Sequence, residues 1–482
     1  MQPSLCGRSE RAIIRAEKAA LSKSTSVPLR AEGGVVVEAA SLQMSPSTAP
    51  PFQGATDEPA PSNEPKTTSS EKEPLQTAAP VPKASDLQPP QTVRSNKPAW
   101  KTAWMIRDTI GPPITTIESK SLLPDPTAVS SKDGFSTLCS YNWQTNGAIF
   151  VPGRPPKWSP PPLPAILPAD TGRHFLDQNA YHVPKYPFEP AFQALSIMNP
   201  TVSLDAVDII ANRNSLRKLL DFSAGKKLDT FAMGLNMIKE TLVLSRKEVN
   251  ARYMVHGASN SGYGHNFEKA FTTAQDEMEE SSSHHRVIKY HIGPLECVVR
   301  FEVDAYFDDP EVECITEEPE LVNSITAAMA QLDVAGSQPP PETKHSTKVV
   351  QKGVSVSASK LAEIKAKRAG RFTDALPQLW FGRTPYFMNG NHIKGKVHSV
   401  TIVHAESEFA QWEELHQARL RKMVSLLVAL KTAVKETQAG AAVLVYDEKG
   451  GPLKVYRVKR DGGVLPKETI AKYWSIGGSV GQ

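Results

Sequence analysis

The distribution of proline sets the first constraint on this chain. Of its 40 prolines, thirty fall before residue 201 and ten after it. Proline lacks a backbone N–H and fixes φ, so it breaks helix interiors and is excluded from central strands. A regular hydrogen-bonded core is therefore expected in residues 201–482. From about residue 20 to residue 98 the chain is Ser, Thr, Pro, Ala and Glu with almost no aromatic residues, a composition that cannot offset the entropy of ordering. Residues 1–98 are accordingly expected to be disordered. Residues 99–200 mix proline runs with Trp100, Trp104, Trp143, Phe150 and Trp158. They read as an extended segment that wraps the core through its aromatic side chains. The run Trp158-Ser-Pro-Pro-Pro-Leu-Pro would also suit a polyproline-binding module. A polar stretch over about 316–349, with three successive prolines from Pro339, reads as an insertion within the folded half.

Charge and cysteine content narrow the function class only coarsely. A balance of 55 Lys+Arg against 51 Asp+Glu gives +4, too little to imply a polyanionic partner, so any anion site must be local. No apolar run reaches the roughly 18 residues that span a bilayer, and no membrane role is expected. Arg8, Glu10, Arg11, Arg15, Glu17 and Lys18 interrupt any secretory leader, and Glu10 and Glu17 argue against a mitochondrial one. Cys6, Cys139, Cys297 and Cys314 show neither metal-type spacing nor disulfide density, which points to a reducing compartment, nuclear or cytoplasmic.

Residues 201–482 alternate helix and strand. Asn214-Ser-Leu-Arg-Lys-Leu-Leu opens a helix with Leu216, Leu219 and Leu220 on one face. Phe231, Met233, Leu235 and Met237, followed by Leu242 and Leu244, predict a β-hairpin. A short helix begins at Asn266, and two strands, Val287 to Ile292 and Leu295 to Tyr306, meet at Gly293-Pro294. In the second strand the period of two puts Leu295, Cys297, Val299, Phe301 and Val303 on one face. Glu296, Val298, Arg300, Glu302 and Asp304 take the other. Glu302 and Asp304 then project side by side, a like-charge arrangement that costs stability unless a cation lies between them. Mg²⁺ or Mn²⁺ prefers such oxygen ligands. The alternative is a solvated face with Arg300 neutralising Glu302.

Further along, a strand would place Glu363 and Lys365 on one face as a carboxylate beside a cation, the logic of a nuclease site. Residue propensity favours a solvated helix there instead, with Glu363 paired to Lys367, and both readings stand. Strands between Tyr386 and Val403 follow. A long amphipathic helix then carries Phe409, Trp412, Leu415, Met423, Leu427 and Leu430, which read as core. The whole is an α/β protein of α+β type, with a mixed sheet and flanking helices.

In this order the segments resemble the PD-(D/E)XK nuclease core, and the motifs are similar to those of the decapping exoribonuclease family. Arg213 ahead of a helix, Glu268 after an aromatic, Glu302-Val-Asp304, Glu363-Ile-Lys365 and Gln378 match that family's five motifs in sequence. Gly264-His-Asn-Phe-Glu stands where the family has Gly-Tyr-Lys-Phe-Glu. The resemblance implies a hydrolase acting on RNA 5′ ends by pyrophosphate removal, decapping, deNADding or 5′→3′ exonucleolysis. It implies Mg²⁺ or Mn²⁺ held by Glu268, Glu302, Asp304, Glu363 and the Ile364 carbonyl. Lys365 would stabilise the reacting phosphate, and Arg213 and Gln378 would bind substrate. A 5′→3′ exonuclease is implied as a partner.

Other readings compete. The same sheet could serve an inactive RNA- or protein-binding module. A geranylgeranyl diphosphate synthase needs two Asp-Asp-x-x-Asp motifs in an all-helical bundle, whereas Asp308-Asp-Pro-Glu-Val-Glu is the sole approximation and Pro310 breaks its helix. Gly262-Tyr-Gly-His reads as a turn rather than a phosphate loop. His284, His285 and His291 read as loop or strand surface, Trp380 or Tyr386 as base-stacking candidates, and Lys454, Arg457, Lys459 and Arg460 as an RNA patch or edge-strand protection.

Overall fold

The computed structural model describes residues 35–37, 102–132, 134–257, 261–308, 347–367, 372–460 and 462–475. The region expected to be disordered lies outside these residues apart from 35–37, and the polar insertion lies outside them apart from 347–349. Eight elements position the site: strand β1 (Ile209–Asn212), helix α1 (Arg213–Ser223), helix α2 (Gly264–Phe271), strand β2 (Leu295–Val303), strand β3 (Leu361–Ala366), helix α3 (Phe372–Gly382), strand β4 (Tyr386–Ile393) and helix α4 (Phe409–Lys435).

The predicted turn at Gly293, with φ +60°, folds Ser281–Ile292 back onto β2. Parallel pairing of β1 with β2 on one side and with Thr241–Lys247 on the other extends the sheet. The hairpin expected from Phe231 onward forms between Phe231–Ile238 and Thr241–Lys247. Among the described residues this sheet has eleven strands. It runs Val349–Lys352, Ile149–Pro152, Ser136–Gln144, Ser281–Ile292, β2, β1, Thr241–Lys247, Phe231–Ile238, Ala441–Tyr446, Leu453–Val458 and Thr109–Ile117. A second sheet runs Val35–Val37, Lys396–His404, β4, β3, Ala305–Tyr306, Lys157–Trp158 and Thr272–Thr273. The α/β fold with mixed sheets is thus the expected class, and an all-helical synthase bundle is excluded.

Burial explains why β2 reads as it does. Leu295, Cys297, Val299, Phe301 and Val303 pack with Leu216, Leu219, Trp380 and Leu427 in one core. Val298 faces a second core containing Phe188, Phe192 and Trp474. The second face is thus enclosed at Val298 and Arg300 and open to solvent at Glu302, so the solvated-face reading holds only for its carboxylate end. Arg300 is buried over the Phe188 ring at 4.4 Å and donates its Nε–H to Asn212 Oδ1 at 3.0 Å, leaving Glu302 without it. At Val303 the strand leaves the larger sheet, and Ala305–Tyr306 joins the smaller one, with Asp304 at the crossing.

Several expectations are corrected. Trp380 and Tyr386 are core residues with 0% and 3% exposure, and Trp380 Nε1–H donates to Glu413 Oε1 at 2.6 Å. They offer no face to a base. His284 and His285 are buried, the first 2.6 Å from Asn142 Oδ1 and the second stacked on Tyr141. The strand Leu453–Val458 is not an edge, because Thr109–Ile117 pairs with it, and Lys454 is bound to Asp447 at 2.9 Å. Trp158 is buried against Phe267 and Phe271 rather than offered outward. Leu415 is 73% exposed, for it lies roughly 90° round α4 from the stripe formed by Phe409, Trp412, Met423, Leu427 and Leu430. Among the described residues no helix is long and apolar enough to cross a membrane.

Helix α2 is seated on β4 by one close approach. A Cβ at Gly390 would lie 2.2 Å from Phe267 Cε2, and the fully buried Phe267 ring, packed between Trp158 and Phe271, has no room to move. Gly390→Ala should cost about 1–3 kcal/mol through overpacking, read as a lower Tm by scanning calorimetry. An unchanged Tm would show that α2 is not fixed by this contact.

Candidate functional site

Three stretches far apart in sequence converge where β2 crosses between the sheets. Asp304 Oδ2 accepts the backbone N–H of Ile364 at 2.8 Å, which fixes β3 beside the crossing. Segment 361–366 is a strand, so the helical alternative is overturned. Ala362 and Ile364 fill the core around Phe267, and this burial outweighs the helical preference of Ala, Glu and Lys. Glu363 and Lys365 therefore share the opposite side of the strand.

Glu363 is the most enclosed charge in the group, with 1% of its side chain exposed. Its Oε1 accepts hydrogen bonds from Lys365 Nζ and from Gln378 Nε2. Its Oε2 lies 3.1 Å from Arg213 Nη1, an ion pair whose angle falls short of a hydrogen bond. Gln378 Oε1 in turn accepts from Arg217 Nη1 at 2.9 Å. Arg213 and Gln378, expected to touch substrate, are thus directed onto Glu363. Burial pushes the Glu363 carboxyl up, but the Lys365 ammonium and then the Arg213 guanidinium outweigh it and hold the group at about 2. Burial pushes the Lys365 ammonium down, and Glu363 and Asp304 more than reverse this.

The other carboxylates have the opposite balance. Glu302 is raised to about 7 by burial and then by the repulsion of Asp304. Asp304 is raised to about 6 by burial and then by Glu363, although Lys365 Nζ stands 3.7 Å away. Glu268, the residue after the Phe267 anchor on α2, is raised well above the usual carboxylate range by burial and then by Asp304. Glu302 nevertheless reaches solvent, so protein atoms ring the cluster without sealing it from water. Three carboxylates that resist ionisation and act on one another's charge have the chemistry of a hard-cation site. As their side chains stand, no group of three or more His, Cys, Asp or Glu residues among the described residues is at metal-holding spacing. Binding an ion would have to draw them together. Glu363 has both oxygens engaged, and Ile364 enters the site through its N–H.

The sequence reading missed Arg217, although its spacing of four from Arg213 on α1 puts both cations on one helix face. It also missed Tyr253, whose phenol is raised by burial and then by Asp170, Glu268 and Glu302, and which therefore lies within their field. Nothing in the sequence around Tyr253 marks it.

No curated protein matches the sequence. Among solved structures, Candida albicans Rai1 in complex with pU5 and Mn²⁺ is similar at 14% identity with a TM-score of 0.48, over 74% of this chain and 98% of that one. S. pombe Rai1 is similar at 11% identity with a TM-score of 0.45, over 71% and 99%. K. lactis Dxo1 in complex with manganese is similar at 8% identity with a TM-score of 0.41, over 72% and 95%. Identities and scores this low transfer no residue role. The family described as "Domain of unknown function (DUF8563)" matches residues 113–474, well over half of the sequence, and the chain belongs to that family.

Proposed function

We propose that this chain is a divalent-metal-dependent hydrolase of phosphate linkages at RNA 5′ ends. The observation that carries the reading is the cluster of Glu268, Glu302 and Asp304, each held above its ordinary ionisation range beside the fixed ammonium of Lys365. Such a cluster is destabilising for the empty protein and is relieved by a cation. These three carboxylates would hold Mg²⁺ or Mn²⁺, which supplies Lewis-acid chemistry when bound. Lys365, oriented by Glu363, presents N–H donors to negative charge developing on the phosphate. Arg213 and Gln378 hold Glu363, so they act through the position of Lys365. The order of the five motifs in the sequence supports RNA 5′ ends as substrate, and a 5′→3′ exonuclease partner belongs to the same proposal.

The complete engagement of Glu363 and the open spacing of the acids favour a second reading, a nuclease-fold RNA- or protein-binding module without turnover. Incubation with 5′-triphosphate, capped and NAD-capped RNA, in Mn²⁺ or in EDTA, separates the two. Metal-dependent product from the wild type supports the hydrolase, whereas RNA retained intact but bound supports the module.

Two expected outcomes follow from the charges. Asp304→Ala should reduce product to background, and Lys365→Met should lower turnover by about 10²–10³-fold, in single-turnover assays with Mn²⁺. Turnover unaffected by either change would remove these residues from the chemistry. The raised carboxyls also set a pH dependence. The folded protein retains protons on Glu302 and Asp304 that the unfolded chain would release, so their contribution is intact below about pH 4 and is lost as pH rises through 6 to 7. Without divalent cations, Glu302→Gln should therefore gain Tm relative to wild type between pH 5 and pH 8. Added Mn²⁺ should raise the wild-type Tm more at pH 8 than at pH 5. A Tm difference independent of both pH and Mn²⁺ would contradict the cation site. Glu363 lies outside this window, since its contribution is lost only as pH falls toward 2.

A further inference from the structure

Beside the acidic cluster stands an aromatic group that the proposed chemistry does not use. Thr171–Phe175 and Arg252–His256 pair as a two-stranded antiparallel ribbon, with Tyr253 directly opposite His174. Opposed residues of such a pair project from one face. Against that face the His265 imidazole, from the first turn of α2, stacks on His174 with centroids 3.6 Å apart and planes 6° from parallel. Tyr253 completes the group, its ring 5.8 Å from His174 at 38° and its hydroxyl 3.1 Å from His265 Nε2.

These rings are not filling a core. Tyr253 is 39% exposed, His265 is exposed and His174 is half-buried. Nor are they remote from the acids: His265 and Glu268 are three residues apart on α2 and so share a face. The carboxylates of Glu268 and Glu302 act on the Tyr253 phenol. Partial burial and then His174 hold the His265 imidazole below its usual range. Flat, water-accessible rings with polar edges, next to a site for phosphate chemistry, match one ligand chemistry, the unpaired nucleobase.

We infer that His174, His265 and Tyr253 form a stacking platform for an unpaired base of a single-stranded RNA whose 5′ phosphate lies over the acidic cluster. The inference rests on the proposed reading of that cluster and narrows its substrate to unpaired 5′ ends. A paired terminus keeps its bases stacked within the duplex and cannot reach the platform without melting.

The test is an anisotropy titration of the full chain with a 5′-phosphorylated, 3′-fluorescein-labelled oligouridylate in Mn²⁺. It uses the intact strand and strands abasic at the first, second or third nucleotide. Wild type should lose roughly 5- to 150-fold in affinity at one abasic position, the range of a single base–aromatic stack. Tyr253→Ala should lose as much on the intact strand and nothing further on that abasic strand. Tyr253→Phe, which keeps the ring, should bind as wild type. His174→Leu carries the same test should Tyr253→Ala not fold. Equal binding of intact and abasic strands, or of wild type and Tyr253→Ala, overturns the platform. Metal-dependent product in the presence of that result leaves the hydrolase standing. Binding that depends on Tyr253, with no product and no Mn²⁺ effect on Tm, keeps the platform and removes the hydrolase.

Discussion

The buried carboxylate of Glu363 is the constraint on which the site depends. It is reached from three elements at once, by Lys365 on its own strand, by Arg213 at the start of α1 and by Gln378 on α3. A buried charge of this kind is tolerable only when its partners are all in place, and removing it would strand two cations in a largely enclosed setting. The helices that pack the core are therefore also those that orient the charges, so packing and chemistry share one set of elements. That is why a residue such as Arg213, at the end of a strand and the start of a helix, serves both.

For the other three carboxylates the balance is reversed. Burial, and then the repulsion of a neighbouring carboxylate, holds Glu268, Glu302 and Asp304 above their usual range, and Lys365 does not offset it. The contrast between one carboxylate whose ionisation is favoured and three whose ionisation is resisted separates framework from reactive surface more clearly than their positions in the motifs do. All four residue types are acidic and look alike in the sequence. Their environments differ because Glu363 sits on the enclosed side of β3, while Glu302 meets water.

Much of this was legible in the sequence, for reasons local to each segment. The alternation in β2, the Gly293 turn, the hairpin from Phe231 and the helix after Arg213 depend on near neighbours, and the structure contains each of them. The pairing of Glu302 with Asp304 was visible for the same reason. What was not legible depends on partners distant along the chain. Segment 361–366 has helical propensity and becomes a strand because two strands flank it. His284 and His285 look like surface residues until sheet pairing with Ser136–Gln144 encloses them. The resemblance implied substrate contacts for Arg213 and Gln378, and nothing local to either reveals that both also reach Glu363. Tyr253 sits on a short, partly exposed ribbon with no periodicity to mark it.

The bond between Asp304 and the Ile364 amide joins residues sixty positions apart in the chain. Because that contact closes the crossing directly, the geometry of the acids does not depend on the length of polypeptide between them. A connection of another length could join the same two ends without breaking that contact. Spacing between the two acidic motifs is then a poor ruler for kinship, and the backbone clasp is the feature to compare.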